Sequence, residues 1–184
     1  LEFCEVASMS MESMGRDHLD VFYDDADDAN RARRDHLEGI IRLLPWIATI
    51  DSFQHWLYTN PGHTTEQRHD AWLDISGRFS SSVVDYTGLE DVRRYRWQRQ
   101  LHLFGLPFYY IEYGIAQLGA LQVWMHYQND PKLALGQLRQ AFALGGSRPL
   151  PQLFETAGIE FRFDGPMVEK VIGAVRGELS RLPQ

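Results

Sequence analysis

Cysteine is almost absent from this 184-residue sequence: the single Cys4 excludes an intrachain disulfide and a cysteine-based zinc site. Lysine is nearly as scarce. Lys132 and Lys170 are the two lysines among 18 basic residues, so the other sixteen are arginines. These are scattered among acids and form no phosphate-binding stripe. With 25 acids against 18 bases the formal net charge is −7, and no nucleic-acid partner is expected. No apolar run reaches the length a membrane span needs, and no signal-peptide pattern opens the chain. The expectation is a soluble protein of the cytoplasm with no membrane partner. What is present is 44% apolar residues, ordinary for a globular chain and enough at this length for a real core. The first residue is Leu1, not methionine, and the sequence opens directly in a helical pattern. It reads as the carboxy-terminal part of something longer.

Helical periodicity runs through almost the whole chain. Cys4, Ala7, Met11, Met14 and His18 form one stripe of a first helix, and Glu5, Met9, Glu12 and Arg16 the opposite one. The acidic run Asp24 to Asp28 suits the start of a second helix, where acids complement the helix dipole. That helix extends to Tyr58 and should kink or break at Pro45. Thr64-Thr65-Glu66-Gln67 reads as a capping box for a third helix with Trp72, Ile75 and Phe79 on its apolar side. Pro107 suits the first turn of a further helix, which is apolar almost all round as far as Tyr127 and so should be central. Asn129-Asp130-Pro131 ends it and caps the next, whose stripe is Ala134, Leu135, Leu138 and Phe142. A last helix follows Asp164-Gly165-Pro166. The two strand-like stretches, Val83-Val84 and Ile159 to Phe163, make no convincing pair. The fold class is all-α, a multi-helix bundle of seven or eight helices.

Two segments concentrate groups with chemistry. Glu5 and Glu12 lie two helical turns apart and point the same way. Taken alone they fit best a solvent-facing helix surface with Glu12 paired to Arg16; the sharper alternative is a metal-ligating carboxylate with a second carboxylate behind it. Downstream, His102 precedes Tyr109, Tyr110 and Tyr113 around a proline-interrupted helix start. These rings fit a core cluster with hydroxyls reaching the surface, and equally a set of donors for a developing oxyanion.

Phe3-Cys4-Glu5-Val6-Ala7-Ser8-Met9-Ser10-Met11-Glu12, together with His102-Leu103-Phe104 and Pro107-Phe108-Tyr109-Tyr110-Ile111-Glu112-Tyr113-Gly114-Ile115-Ala116-Gln117, resembles the carboxy-terminal part of oligoendopeptidase F. This is the M3 family of zinc metallopeptidases, related to thimet oligopeptidase. Pro45-Trp46-Ile47-Ala48-Thr49-Ile50-Asp51-Ser52-Phe53-Gln54-His55-Trp56 and the Asn60-Pro61-Gly62-His63-Thr64 turn fit it too, so the resemblance spans residues 1–184 as part of one zincin-type helical catalytic domain.

The resemblance implies a zinc endopeptidase acting on short peptides in a deep channel. In the family an HExxH helix supplies two histidine ligands and a glutamate base, and a glutamate on the next helix supplies the third ligand. Glu5 matches that third ligand, and Glu12 the acid two turns later. His102, Tyr109, Tyr110 and Tyr113 match the cluster that binds substrate and steadies the tetrahedral intermediate. This sequence contains no HExxH, since none of its seven histidines is followed by glutamate. Neither His63 with His69 nor His18 with His36 has metal-binding helical spacing. One carboxylate cannot hold a catalytic zinc, so the segment alone is expected to be inactive, with the amino-terminal part of the same protein as its partner and Zn2+ as the cofactor. The alternative is a non-catalytic helical module that kept the scaffold to bind peptides or a partner.

Overall fold

A computed structural model describes residues 2–183; Leu1, on which the sequence opens, lies outside them. The described residues form helices and no strand, as the periodicity predicts. These are α1 (Glu2–Gly15), α2 (Ala26–Thr59), α3 (Thr65–Phe79), α4 (Glu90–Tyr95), α5 (His102–Gly105), α6 (Ile111–Asn129), α7 (Pro131–Leu144), α8 (Leu150–Thr156) and α9 (Gly165–Leu179). Short 3-10 turns cover Arg16–Val21 and Arg96–Arg99. The chain divides into two compact units, one built from the residues up to Ile41 and from Ile115 onward, the other from Arg42–Gly114. Helices α2 and α6 carry the chain from one unit to the other.

In the first unit, Phe3, Val6 and Met14 of α1 pack with Ala116 and Val123 of α6, Leu138 and Ala141 of α7, and Leu153 and Phe154 of α8. The buried face of α1 is therefore Phe3, Val6, Ser10, Ser13 and Met14; of the stripe Cys4, Ala7, Met11, Met14 and His18 it takes in Met14, while Cys4, Met11 and His18 are exposed. Serines hide that face from a count of apolar residues. Ser13 is nonetheless cheap to bury, because its hydroxyl donates to the Met9 carbonyl at 2.9 Å. Asp130 and Asp164 cap α7 and α9 by accepting from the backbone N–H groups of Leu133 and Met167. The strand-like stretch after Ile159 pairs with a side chain instead of a strand. Gln122 accepts from the Glu160 N–H at 2.9 Å and donates to the Glu160 carbonyl at 3.0 Å.

Helix α6 is apolar all round, and every residue from Ala116 to Trp124 is buried. Gly119 lets it approach its neighbours: a Cβ there would lie 3.0 Å from Phe154 Cζ and 3.2 Å from Val6 Cγ2. Glycine inside a helix ordinarily weakens it relative to alanine, so its presence here reflects packing. Gly119→Val is expected to cost about 1–3 kcal/mol by overpacking, read as a lower midpoint in urea denaturation.

His36 gives this unit a pH response. Its Nδ1 is buried without a partner and its Nε2 lies 3.8 Å from Glu12. Burial, then the Arg16 charge, hold the imidazole below its ordinary range, against weaker opposing pulls from Glu12 and Asp35. The unfolded chain takes up a proton near pH 6.5 while the folded chain resists it, so stability falls as pH drops through that range. Denaturation midpoints measured between about pH 7.5 and 5 are expected to fall less for His36→Leu than for the wild type.

In the second unit Ile50 and Phe53 of α2, Trp72 and Ile75 of α3, Trp97 and Leu103 form the core. Of the two outcomes expected at Pro45, a kink or a break, the break does not occur: α2 runs from Ala26 to Thr59 with the proline inside it. Phe79, expected on the apolar side of α3, is exposed. The capping box is present in full: Thr64 accepts from the Gln67 N–H at 3.2 Å, and Gln67 Oε1 accepts from the Thr64 N–H at 2.8 Å. Trp72 ties α3 to α4 by donating to the Arg93 carbonyl at 2.9 Å.

Candidate active site

The second unit places His102 in α5 and Tyr113 in the first turn of α6, with a tight turn between them. Pro107 belongs to that turn and not to the helix, which begins at Ile111. The reason lies at Phe108, whose φ of 57° is left-handed, a conformation that costs a residue with a Cβ about 1–2 kcal/mol. Packing offsets that cost: the Phe108 ring lies 4.9 Å from His55 and 5.0 Å from Tyr58, both on α2. The turn delivers Tyr109 and Tyr110 just ahead of α6, facing back toward α5.

Four rings meet as a result. His102 stacks on Tyr109 at 6.1 Å and lies 4.9 Å from Tyr110 and 5.8 Å from Tyr113, edge-on to the last. Tyr113 lies 5.7 Å from Tyr109 and 5.4 Å from Tyr110. All four sequence-selected residues are thus in one half-buried cluster. Burial pushes the Tyr110 phenol above its ordinary range, only partly countered by the Trp46 N–H beside it. It remains a protonated donor throughout the neutral range.

Two members of this neighbourhood were not among the residues singled out for chemistry. Gln100 stands between Trp46 and His102: its Oε1 accepts from Trp46 Nε1 at 3.2 Å, and its Nε2 is 2.6 Å from His102 Nδ1. A glutamine just past a 3-10 turn and two residues before a histidine follows no period, and no spacing rule would have found it. Arg96 lies over the Trp46 ring at 4.8 Å, a cation–π contact that holds the indole in place.

The carboxylates lie in the first unit. Glu5 is half-buried in the first turn of α1, and its Oε2 accepts from Ser8 Oγ at 3.2 Å. Glu12 does not pair with Arg16, as one reading had it. It faces His36, while the buried Arg16 lies over the Trp124 ring at 4.7 Å and 3.8 Å from Asp17. Among the described residues no three His, Cys, Asp or Glu side chains are grouped so as to hold a metal ion. Glu5 offers one carboxylate, a donor type that zinc accepts, and a single carboxylate does not by itself make a zinc site.

A helical scaffold that gathers one imidazole and three phenols beside a strained turn is a ready set of hydrogen-bond donors for an anionic oxygen. Comparison with known proteins gives that scaffold its family. Residues 1–171 match peptidase family M3. A solved structure described as an oligoendopeptidase F is 34% identical with a TM-score of 0.85, over 98% of this chain and 32% of that one. PZ peptidase A with an inhibitor is also 34% identical, with a TM-score of 0.90, over 99% of this chain and 32% of that one. A solved structure described as an oligoendopeptidase F from Bacillus anthracis str. Ames is 28% identical with a TM-score of 0.75, over 98% of this chain and 29% of that one. No curated protein matches the chain. The chain belongs to peptidase family M3 and spans about a third of the length of these solved structures. No helix among the described residues is long and apolar enough to cross a membrane.

Proposed function

We propose that this chain is the carboxy-terminal catalytic part of a zinc-dependent oligoendopeptidase that hydrolyses short peptides in the cytoplasm. Glu5 supplies one zinc ligand and Glu12 supports it from behind. The two histidine ligands and the general base come from the amino-terminal part of the same protein. When bound, zinc supplies Lewis acidity toward the scissile carbonyl. The chain's own residues do the rest: His102 and the phenols of Tyr109, Tyr110 and Tyr113 bind the peptide and donate hydrogen bonds to the oxygen that becomes negative. Such bonds strengthen in the transition state and so act on rate more than on binding.

The observation that carries this reading is the convergence of His102 with three tyrosines at the α5–α6 turn, in a chain of family M3. Apolar side chains left largely bare, such as Phe22 at 78% and Leu101 at 77% exposure, also suit a surface that more of the protein covers. The test is cleavage of an internally quenched peptide by the full-length protein. Activity should be lost with a chelator and restored by zinc, and the 184-residue segment should have none. A full-length protein that carries zinc and cleaves no peptide overturns the proposal.

A further inference from the structure

Gln100 is fixed at both ends. An indole nitrogen only donates, so the amide oxygen must face Trp46 and the amide NH2 must face the imidazole. An amide NH2 also only donates. His102 Nδ1, 2.6 Å away, must therefore accept, and an accepting nitrogen carries no proton. In the neutral ring the one proton is then on Nε2. Trp46, at the head of this chain of hydrogen bonds, is held by the Arg96 guanidinium above its ring and by Trp72 edge-on at 6.0 Å.

We propose that Gln100, backed by Trp46, is a positioning residue that locks His102 in the Nε2–H tautomer, so that the imidazole meets the substrate oxyanion as a hydrogen-bond donor and not as a proton acceptor. The proposal rests on the reading of His102 as part of the peptidase site. Nδ1 is already engaged by Gln100, which leaves Nε2 as the nitrogen available to substrate. In the opposite tautomer a lone pair would occupy that position, and a lone pair repels a developing negative oxygen. The titratable groups packed against the ring are the phenols of Tyr109, Tyr110 and Tyr113; the nearest cation in this hydrogen-bond chain is Arg96, one residue removed on Trp46.

Gln100→Glu separates this role from packing, because it keeps the shape and reverses the demand. A carboxylate still accepts from Trp46, but it also accepts at the other end and so calls the proton onto Nδ1. Gln100→Leu removes both bonds and leaves the tautomer unspecified. In full-length protein with 15N-labelled histidine rings, His102 (assigned by its disappearance in His102→Gln) is expected to show a protonated Nε2 and a bare Nδ1. In Gln100→Glu it should show a protonated Nδ1. At about pH 8.5, above the ordinary imidazole range, Gln100→Glu should lower kcat roughly 10- to 100-fold, the size of loss typical when a supporting partner is removed. KM should stay within about threefold, because the lost interaction belongs to the transition state. That loss should shrink toward pH 6, where a doubly protonated ring again offers Nε2–H. Gln100→Leu, despite the poorer fit, should lose less than Gln100→Glu at the alkaline end.

A wild-type ring protonated on Nδ1, or a Gln100→Glu ring that keeps its proton on Nε2 alone, overturns the lock. Full kcat in Gln100→Glu with the tautomer reversed overturns the donor role. If the wild type cleaves no peptide, the peptidase reading fails, and the ring spectrum still decides the lock.

Discussion

Glu5→Ala in the full-length protein is expected to lower zinc affinity at least ~100-fold and to abolish peptide cleavage at trace zinc. The magnitude follows from a comparison. Removing a residue that merely supports a ligand typically costs ten- to a hundredfold in metal affinity, so removing the ligand itself must cost at least the upper end of that range. Competition with a chromogenic chelator reads the affinity directly. Glu12→Gln provides the internal scale. If Glu12 supports Glu5, its loss should weaken zinc binding roughly tenfold. If its role is only to face the half-buried His36 at 3.8 Å, zinc affinity should not move and the stability profile below pH 7 should. Unchanged zinc affinity in Glu5→Ala would remove Glu5 from the metal site altogether. Saturating zinc should restore part of the activity of Glu12→Gln and none of that of Glu5→Ala, because excess metal refills a weakened site but does not rebuild its geometry.

What was legible in the sequence was local. The Thr64–Gln67 capping box and the Asp130-Pro131 and Asp164-Gly165-Pro166 starts appear as read, because each satisfies its helix end with side chains a few residues away. The features that escaped are those decided by tertiary packing. Pro45 removes one helical hydrogen bond and crowds the preceding turn, at a cost of about 3 kcal/mol. Burying Ile47, Ile50 and Phe53, within the next two to three turns, returns about 1.5–3 kcal/mol each, and the helix therefore persists. On α1 the buried face contains Ser10 and Ser13, which an apolar count assigns to the wrong side. At the α5–α6 turn the pattern placed a helix start at Pro107, whereas contacts of Phe108 with His55 and Tyr58, more than forty residues away, stabilise a left-handed residue instead.

The site divides in the same way. The residue types at His102, Tyr109, Tyr110 and Tyr113 could be picked out, since an imidazole and three phenols within twelve positions are conspicuous as donors. Their meeting in one cluster depends on the Phe108 turn. The amide that orients the imidazole could not be picked out, because Gln100 owes its importance to Trp46, a residue 54 positions earlier. Close approach of α6 to α2 beneath the cluster is likewise a packing result: a Cβ on Gly114 would lie 3.2 Å from Ile47 Cγ2. A rigid helix start packed that tightly is suited to holding donors at fixed positions, which is where preorganised hydrogen bonds gain their advantage over water.

That advantage sets the expectation for the phenols. Tyr109→Phe, Tyr110→Phe and Tyr113→Phe each delete one hydroxyl while keeping the ring contacts at 4.9–6.1 Å that hold the cluster together. The hydroxyl that donates to the oxyanion should cost ~100- to 1,000-fold in kcat on removal, with KM nearly unchanged. A hydroxyl that only positions the peptide should raise KM and leave kcat alone. Tyr110 has a further signature. Burial keeps its phenol protonated above the ordinary tyrosine range, so a rate that falls between about pH 8 and 9.5 cannot come from Tyr110 ionising, and the fall should persist in Tyr110→Phe. If none of the three substitutions lowers kcat by as much as tenfold, the phenols are packing groups and the cluster contributes shape alone.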